Sequence, residues 1–276
     1  MAEYPELRQI ASQMKEKLTG HKVTDLEVRQ EKCLNIPTKD FKEAVIEKSI
    51  LNVKNFGKWI QIVLEDNLQI MLGLGMGADI YYYESKDLKT DKYQCRLELD
   101  YNTGFTCHFW WLGHFELYKE KELSQTKKFQ KIGPLVLDEY FTFDYFYETI
   151  SKKNAFIKNA ILSQEIVSGI GNAYIHDILF MSQVHPETKC KLISKSSYQT
   201  IYDEMKKQMM QASKMNGLAY ERDFYGRAGK YCVEDFVIAY KDGKKCPKCG
   251  CIIQKIKTGN TSSFVCLQCQ NKLIEE

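Results

Sequence analysis

The sequence predicts an α+β fold in two parts, an N-terminal antiparallel β-sandwich with a flanking helix and a C-terminal helical part that ends in a β-hairpin. Three patterns lead to this prediction. Short β-rich runs separated by turn residues fill residues 21–119, as in antiparallel sandwiches and barrels. Helical periodicity follows Gly133-Pro134. Short strands then return around four cysteines near the C-terminus.

Length and composition limit the class of protein. The chain has 276 residues, 44% of them hydrophobic and 27% charged, with only 5 Pro. This suffices for one large or two ordinary domains, and it excludes a short disulfide-stapled module and a disordered chain. No run approaches the ~18 apolar residues of a membrane span, and the N-terminus lacks the order of a signal peptide. We therefore expect a cytoplasmic protein whose 10 Cys stay reduced unless a metal binds them.

The charges are divided unevenly along the chain. Residues 1–150 carry 20 basic and 24 acidic side chains, a net charge of −4, whereas residues 151–276 carry 19 and 12, a net charge of +7. A basic half next to a near-neutral half favours a polyanionic partner that is bound mainly by the C-terminal half.

The N-terminal part begins with a helix and continues with strands. Leu7, Ile10 and Met14 recur at helical spacing within residues 5–18, and Gly20 follows where a helix-ending glycine belongs. The predicted strands are residues 23–28, 49–54, 58–64, 68–71, 79–83, 95–99 and 105–111.

The C-terminal part is predicted to consist of a linker, a helical domain and a small finger. The charged stretch 119–131 has the composition of a linker. The predicted helices are residues 140–150, 154–162, 173–181 and 196–215. The predicted domains are residues 1–120, a linker at 121–135, a helical domain at 136–240 and the finger at 241–276.

Two Cys-x-x-Cys pairs give the strongest local signal. Cys246 and Cys249 form the first pair, and Cys266 and Cys269 form the second. Two such knuckles at this separation present four thiolates to one tetrahedral Zn²⁺ in a closed, structural site. The ion is expected to stabilise a hairpin with strands at 252–256 and 262–265, and not to take part in catalysis.

A second signal is a tight turn between two apolar segments. The string Gly169-Ile170-Gly171 is followed by Asn172, at which we expect the second helix to begin. The N-terminus of a helix offers backbone amides to an anion, so a phosphate contact is expected there.

Taken with the finger and the N-terminus, the string 164–180 makes the chain resemble the formamidopyrimidine-DNA glycosylase and endonuclease VIII family over essentially its whole length. The family begins Met-Pro-Glu-Leu-Pro-Glu, and this sequence begins Met1-Ala2-Glu3-Tyr4-Pro5-Glu6. Further matches are Asn55-Phe56-Gly57-Lys58, Ile132-Gly133-Pro134 and Arg222-Asp223-Phe224. The resemblance implies a β-sandwich, a helix-two-turn-helix domain and a zinc-finger β-hairpin.

The resemblance also implies a bifunctional enzyme of base excision repair. Such an enzyme flips a damaged base out of the duplex, cuts the glycosidic bond and cleaves the backbone as an abasic-site lyase. By family position, Ala2 is the amine nucleophile once Met1 is removed, and Glu3 is the acid/base. Glu6 supports these groups, while Lys58 and Asn172 bind phosphate.

The sequence departs from the family pattern at three places. Ala2 replaces the secondary-amine proline, and Thr261 stands where the finger usually has an arginine that grips phosphate. Trp110 and Trp111 lie where an Arg-Phe wedge usually fills the space left by the flipped base. Each tryptophan can stack on bases as that wedge, or both can pack in the sandwich core.

Two glycine-containing segments match loops of the family. The segment 223–231 corresponds to a mobile loop over the flipped base, and its Arg227 and Lys230 can meet phosphate or a base edge. The Gly73–Gly77 segment corresponds to a second intercalating loop, although glycines at a strand bend explain the string equally well. Its candidate side chains are Met71, Leu74 and Met76.

The leading interpretation is a DNA glycosylase and lyase that acts on damaged double-stranded DNA. We expect it to be a monomer, without an organic cofactor or a membrane partner, and nucleoid-associated if the source is bacterial. One alternative is a catalytically degenerate protein of the same fold that binds lesions or DNA structures. Another is a zinc-ribbon protein that binds RNA or a protein partner.

Overall fold

The computed structural model describes residues 2–85, 87 and 90–274. The chain forms two compact units. The first unit contains the residues up to 130 together with 215–230, and the second contains 131–214 together with the residues from 231 onward. Within the described ranges, no helix combines the length and the apolar character that crossing a bilayer requires.

A long amphipathic helix opens the first unit. Helix α1 (Tyr4–Leu18) buries one face, including Leu7 and Met14, against the sheet that contains residues 50–56. Pro5 lies in the first turn, where its missing N–H costs no hydrogen bond. Gly20 follows the helix with a φ of +89°, so the predicted helix and its glycine stop are confirmed.

The rest of the first unit is a sandwich of two antiparallel sheets. Their strands are β1 (Val23–Val28), β2 (Ile50–Phe56), β3 (Trp59–Leu64), β4 (Leu68–Gly73), β5 (Asp79–Tyr83), β6 (Cys95–Leu99), β7 (Thr103–His108) and β8 (His114–Lys119). One sheet has the order β1-β6-β7-β5 and the other β2-β3-β4-β8. Leu26, Ile62, Leu97 and Phe115 are fully buried in one hydrophobic core. The predicted antiparallel sandwich is confirmed.

The structure differs from the sequence prediction at three places in this unit. Helix α2 (Thr38–Val45) and strand β8 were not among the predicted elements. The stretch expected as a linker forms two short helices, α3 (Glu120–Gln125) and α4 (Lys127–Gln130). Phe129 of α4 packs on Trp59, with 5.1 Å between ring centroids. A single buried aromatic ring in a charged stretch gives too weak a period to be read from sequence.

The second unit is helical and ends in a hairpin. Its helices are α5 (Phe143–Ile150), α6 (Ile157–Leu162), α7 (Ile175–Met181) and α8 (Lys195–Lys214), and the hairpin pairs β9 (Gln254–Thr258) with β10 (Thr261–Val265). Helix α5 begins three residues later than predicted because the Thr142 hydroxyl accepts a hydrogen bond from the Tyr145 N–H and caps the helix. Helix α7 begins at Ile175, so Asn172 precedes the helix and does not start it.

A buried carboxylate joins helix α7 to the segment that leads into the finger. Asp177 accepts hydrogen bonds from the backbone N–H groups of Val237, Ile238 and Ala239, at 2.6 to 3.0 Å. Burial raises the pKa of Asp177, and these three hydrogen bonds act against that rise. Phe180 of the same helix belongs to the small core that holds the finger. The orientation of the hairpin is therefore fixed from within its own unit.

Candidate functional site

Two carboxylates are buried at the start of helix α1. Glu3 is the residue that precedes the helix, and Glu6 lies in its first turn; each is 3% exposed. Glu6 Oε2 accepts a hydrogen bond from the Glu3 backbone N–H at 2.7 Å, and Glu6 Oε1 accepts one from the Leu218 N–H at 2.9 Å. Glu6 thus ties the first residues of the chain to the segment 215–218 and fixes the position of Glu3.

Gly217 makes room for the Glu6 carboxylate. Its φ is +77°, and a Cβ there would lie 2.3 Å from Glu6 Oε1. A Cβ on Gly229 would in turn lie 2.3 Å from the Gly217 carbonyl oxygen. Two glycines are therefore required for the backbone to close around one carboxylate, a relation that sequence reasoning missed. The Asn216-Gly217 dipeptide was the available turn signal.

Ala2 lies next to these carboxylates in the chain and is also buried. It is 4% exposed and belongs to the hydrophobic core of the sandwich. Met1, whose removal is part of the expected chemistry, lies outside the described residues. Ala2 is thus shielded from bulk water.

Asp223 organises the segment that was matched to a mobile loop. Its carboxylate accepts hydrogen bonds from Gln13 Nε2, the Arg227 N–H and Arg227 Nε, each at 2.8 Å, and from the Tyr225 N–H at 3.0 Å. Burial alone would raise the pKa of Asp223, but these donors outweigh it and the pKa is lowered. The segment 223–227 is a closed turn, although Arg227 and Lys230 are exposed as expected.

Lys58 lies on the hairpin turn between β2 and β3. Gly57 precedes it with a φ of +60°. The Asn55 side-chain amide donates hydrogen bonds to the Gly57 and Trp59 carbonyl oxygens at 2.9 and 3.0 Å and closes the turn. The sequence match Asn55-Phe56-Gly57-Lys58 thus corresponds to one rigid turn that presents a lysine.

Residues 109–113, called the tryptophan loop from here on, expose large apolar side chains. Trp110 is 79% exposed, Trp111 63% and Leu112 65%. The alternative that both tryptophans pack in the core is therefore wrong. Met76 is also 47% exposed, and its backbone exchanges two hydrogen bonds with Trp111, at 3.0 and 3.3 Å. The other two candidates of the second loop, Met71 and Leu74, are buried.

A side-chain clamp fixes the base of the tryptophan loop. Gln94 Nε2 donates to the Phe109 carbonyl oxygen at 3.0 Å, and the Phe109 N–H donates to Gln94 Oε1 at 2.6 Å. Gly113 lies so close to the Phe109 ring that a Cβ there would be 2.0 Å from it. The loop therefore holds its rings outward on a fixed base.

In the second unit, Asn172 lies in a turn that is held by a glutamine. The Gly169 N–H donates to Gln164 Oε1 at 2.9 Å, and Gln164 Nε2 donates to the Ile170 carbonyl oxygen at 2.7 Å. Asn172 Oδ1 is buried and has no hydrogen-bond partner among the described residues. A buried polar atom without a partner calls for a ligand or water. This oxygen accepts hydrogen bonds and is therefore suited to a donor such as water, whereas a phosphate would be bound by the amide N–H groups of the side chain.

The four predicted cysteine ligands lie together at the base of the finger. Their sulfurs are all within 4.8 Å of one another, with 3.9 Å between Cys246 and Cys269 and 3.4 Å between Cys249 and Cys266. Tetrahedral Zn–S bonds of ~2.3 Å place sulfurs about 3.8 Å apart, so the cluster fits such an ion. A backbone hydrogen bond from Cys251 lowers the pKa of Cys249 to about 6, which favours the thiolate. The cluster can bind a metal.

The finger tip is supported from below by a buried lysine. Lys158 is fully buried and donates hydrogen bonds to the Ser262 carbonyl oxygen and to Ser263 Oγ. Ser263 Oγ donates to Thr258 Oγ1 at 2.9 Å, and Thr261 Oγ1 donates to the Thr258 carbonyl oxygen at 3.3 Å. Burial lowers the pKa of Lys158 to about 8. Sequence reasoning missed this lysine, because nothing in its local pattern distinguishes it from the exposed ones.

Two exposed lysines lie on the finger near Thr261. Lys255 and Lys257 share one face of β9 and are both exposed. Lys257 is paired with Ser262 in the hairpin register, one position from the tip residue Thr261. The finger therefore keeps positive charge near its tip although the family's arginine is replaced by threonine.

The fold and the site define a class of protein: a β-sandwich with buried N-terminal carboxylates, accompanied by a helical unit with a four-cysteine finger. Two family models match the chain, the formamidopyrimidine-DNA glycosylase N-terminal domain over residues 1–111 and the H2TH domain of the same enzymes over residues 132–222. The chain belongs to the formamidopyrimidine-DNA glycosylase family.

Individual relatives match the chain over its length. The formamidopyrimidine-DNA glycosylase of Ureaplasma parvum is 27% identical over 281 residues, which cover 98% of this chain and 100% of that protein. The enzyme of Pelotomaculum thermopropionicum is 28% identical over 278 residues, or 98% and 99%. Among solved structures, Lactococcus lactis Fpg in complex with N7-benzyl-Fapy-dG DNA has a TM-score of 0.89 at 22% identity, covering 98% of this chain and 100% of that chain.

Proposed function

We propose that this DNA repair glycosylase excises a damaged base with Ala2 as nucleophile and Glu3 as acid/base, and then cleaves the abasic site as a lyase. The observation that carries the proposal is the buried arrangement of Ala2, Glu3 and Glu6 at the start of α1, in a chain that belongs to this family. Relatives of the same fold have been solved with Fapy-dG DNA and with abasic DNA.

The chemistry requires a free amine at Ala2, and therefore removal of Met1. The amine attacks C1′ of the flipped nucleotide and forms a Schiff base while the damaged base departs. Its ordinary pKa of ~8 leaves a useful neutral fraction near pH 7. Glu3 moves the protons that the ring opening and strand cleavage require. Glu6 acts as a positioning residue, since both its oxygens are bonded to backbone N–H groups.

Both units contribute to DNA binding in this proposal. In the first unit, Lys58, Arg227 and Lys230 contact phosphate or a base edge. In the second unit, Asn172 and the finger tip at Thr261 bind the backbone, and we add Lys257 as the cation that replaces the missing arginine. The partner is one damaged duplex, and the protein acts as a monomer without an organic cofactor. It works where chromosomal DNA lies, which is the nucleoid if the source is bacterial.

The tryptophan loop supplies the wedge. Trp110 and Trp111 are exposed on a fixed base and lie beside exposed Met76. An aromatic ring that stacks in the duplex after a base leaves is worth ~1–3 kcal/mol. This wedge relies on stacking where the family pattern relies on arginine.

The metal of the finger is proposed to be one Zn²⁺ ion held by Cys246, Cys249, Cys266 and Cys269. Four thiolates leave no open coordination position, so the ion stabilises the hairpin and takes no part in the reaction. The residues of the finger then bind DNA through Thr261 and Lys257.

The direct test of the catalytic assignment is the Glu3→Gln variant on a duplex with one Fapy-dG. We expect base excision to fall by ~10²–10⁴-fold because the proton carrier is lost, with DNA affinity retained. Glu16→Gln is the matched control, since Glu16 lies exposed on the same helix. Excision by Glu3→Gln at the rate of the control would refute the role given to Glu3.

The catalytically degenerate binder remains the second candidate because Ala2 replaces the family's proline. This candidate function predicts that the protein binds an abasic duplex tightly and does not cleave the strand. The same result is expected for protein whose N-terminus is shown by sequencing to start at Ala2. Cleavage by that preparation would exclude it.

A further inference from the structure

A pair of thiols that the proposed reaction does not use lies in the sandwich. Cys33 Sγ is 3.4 Å from Cys95 Sγ, and both residues are buried. Cys33 ends the short turn Glu31–Cys33 after β1, and Cys95 is the first residue of β6. The two residues are far apart in sequence, so their proximity is a property of the fold.

The pair needs only a small movement to become a disulfide. A disulfide has an S–S length of ~2.05 Å, so the sulfurs must approach by about 1.4 Å. Cys33 belongs to an irregular turn and Cys95 is the end residue of its strand, so both can move, and the approach displaces Cys95 as well as Cys33. The hydrogen bond between the two thiols lowers the pKa of Cys33.

An oxidant can reach Cys33 through a cavity under the tryptophan loop. Cys33 lines this cavity of about 230 Å³, together with Lys32, Gln94, Trp110 and Trp111. A cavity of this volume is large enough for a small molecule such as hydrogen peroxide. Cys95 does not line the cavity and is placed to react second.

The pair is also connected to the tryptophan loop through the chain. Gln94, the residue before Cys95, holds the Phe109 backbone by two hydrogen bonds. The Gln94 N–H also donates to the carbonyl oxygen of Cys107 at 2.9 Å. A displacement of Cys95 therefore acts on the residue that fixes the base of the loop.

We propose that Cys33 and Cys95 are a peroxide-sensitive thiol pair whose reversible disulfide loosens the tryptophan loop. Hydrogen peroxide oxidises the Cys33 thiolate to a sulfenic acid, and one oxygen leaves as water. Cys95 attacks the Cys33 sulfur, the S–S bond forms, and the hydroxyl group leaves with the Cys95 proton as a second water. Two thiols and one peroxide thus give one disulfide and two waters, and a low-molecular-weight thiol reverses the change.

The experiment treats the zinc-loaded protein with hydrogen peroxide, blocks remaining thiols and maps linked peptides by mass spectrometry. Hydrogen exchange of the peptide that contains residues 109–113 is measured on the same samples. We expect a Cys33–Cys95 link, faster exchange in the loop, and loss of both on reduction. Cys33→Ala should show neither the link nor the faster exchange. Cys107→Ala should keep the link, because Cys107, the third buried thiol of the sandwich, is not needed for it.

Three results would overturn the proposal. The first is the absence of a Cys33–Cys95 link in the peroxide-treated wild-type protein, with Cys33 either unmodified or over-oxidised. The second is a link from Cys33 to Cys107. The third is a Cys33–Cys95 link with unchanged exchange at 109–113, which would remove the connection to the loop. Zinc release is monitored in every sample, since oxidation of the finger thiols is common to the wild type and to both variants.

Discussion

The buried carboxylates and the exposed surfaces that we propose to contact DNA relate differently to the family pattern. Glu3 and Glu6 match it and are each 3% exposed. The wedge and the finger tip depart from it, and Trp110 is 79% exposed. A buried group has every neighbour specified, so few substitutions fit, whereas an exposed contact can be rebuilt with another residue that binds the same DNA. Ala2 is the exception, a departure at a buried position, and it keeps a small side chain there.

This difference predicts that substitutions in the two regions have different consequences. Changes in the buried site should lower both the stability of the fold and the rate of excision. Changes on the exposed surfaces should lower DNA affinity and leave the stability of the fold unchanged.

The largest effect is expected for Gly217→Ala. The new Cβ meets Glu6 Oε1 at 2.3 Å in a left-handed backbone conformation. Strain of ~1–2 kcal/mol adds to the loss of a hydrogen bond to a charged group, ~1.5–3 kcal/mol, so the free energy of unfolding should fall by about 2.5–5 kcal/mol. Gly243→Ala is the control, since its φ is +75° with no atom within 4 Å. The free energy of unfolding in urea and the rate of base excision are measured for both variants. Equal values for the two variants would contradict the account.

Asp223→Asn should show a pH-dependent loss of stability. The pKa of Asp223 is lowered in the folded protein, so its ionised form contributes stability above the unfolded value of ~3.9 and loses it as the pH falls through the folded pKa. We expect a loss of about 1.5–3 kcal/mol at pH 7 that shrinks toward pH 3. Thermal unfolding at pH 7, 4 and 3 measures it, with exposed Asp40→Asn as control. A loss that is equal at all three pH values would contradict the ionic explanation.

Trp111→Ala tests the expectation that a change on the exposed surface lowers DNA affinity and leaves the stability of the fold unchanged. Loss of one stacking ring should weaken binding to an abasic duplex by ~1–3 kcal/mol, with unfolding unchanged. Tyr140→Ala removes a ring of the second unit that is 73% exposed and should leave affinity unchanged. Equal affinity of the two variants in a fluorescence anisotropy titration would show that Trp111 is not part of the wedge. The same comparison applies to Trp110→Ala.

The smallest effect is expected for Lys257→Ala. Loss of one phosphate contact should reduce the slope of log K against log salt by ~0.9 and weaken binding uniformly across sequences. Lys39→Ala, which removes an exposed lysine of helix α2, should leave the slope unchanged. An unchanged slope for Lys257→Ala would mean that Lys257 does not contact phosphate and that any phosphate at the finger tip is bound by other groups.

The sequence predicted the fold class and most elements because periodicity and turn residues are local. Strands β1, β5 and β6 were predicted to the residue, since alternation and flanking turns define them. Helices α3 and α4 could not be predicted, because Phe129 stabilises them by packing on a distant tryptophan.

The candidate site was predicted only where short motifs carry it. The finger cysteines and the N-terminal carboxylates follow from spacing and from the resemblance. Three other features depend on contacts between distant segments, which a single sequence does not contain. They are the fit of Gly217 to Glu6, the anchoring of Asp223 by Gln13 and the support of the finger by Lys158. The exposure of Trp110 also required the structure.

The central claim is that the Ala2 amine is the nucleophile, and borohydride trapping tests it most directly. The protein, with its N-terminus verified, is incubated with a duplex that contains one abasic site, reduced with borohydride and mapped by peptide mass spectrometry. We predict a covalent DNA adduct on Ala2, absent when the initiating methionine is retained by an engineered N-terminal extension. An adduct on a lysine instead, or tight binding with no adduct, would contradict the claim.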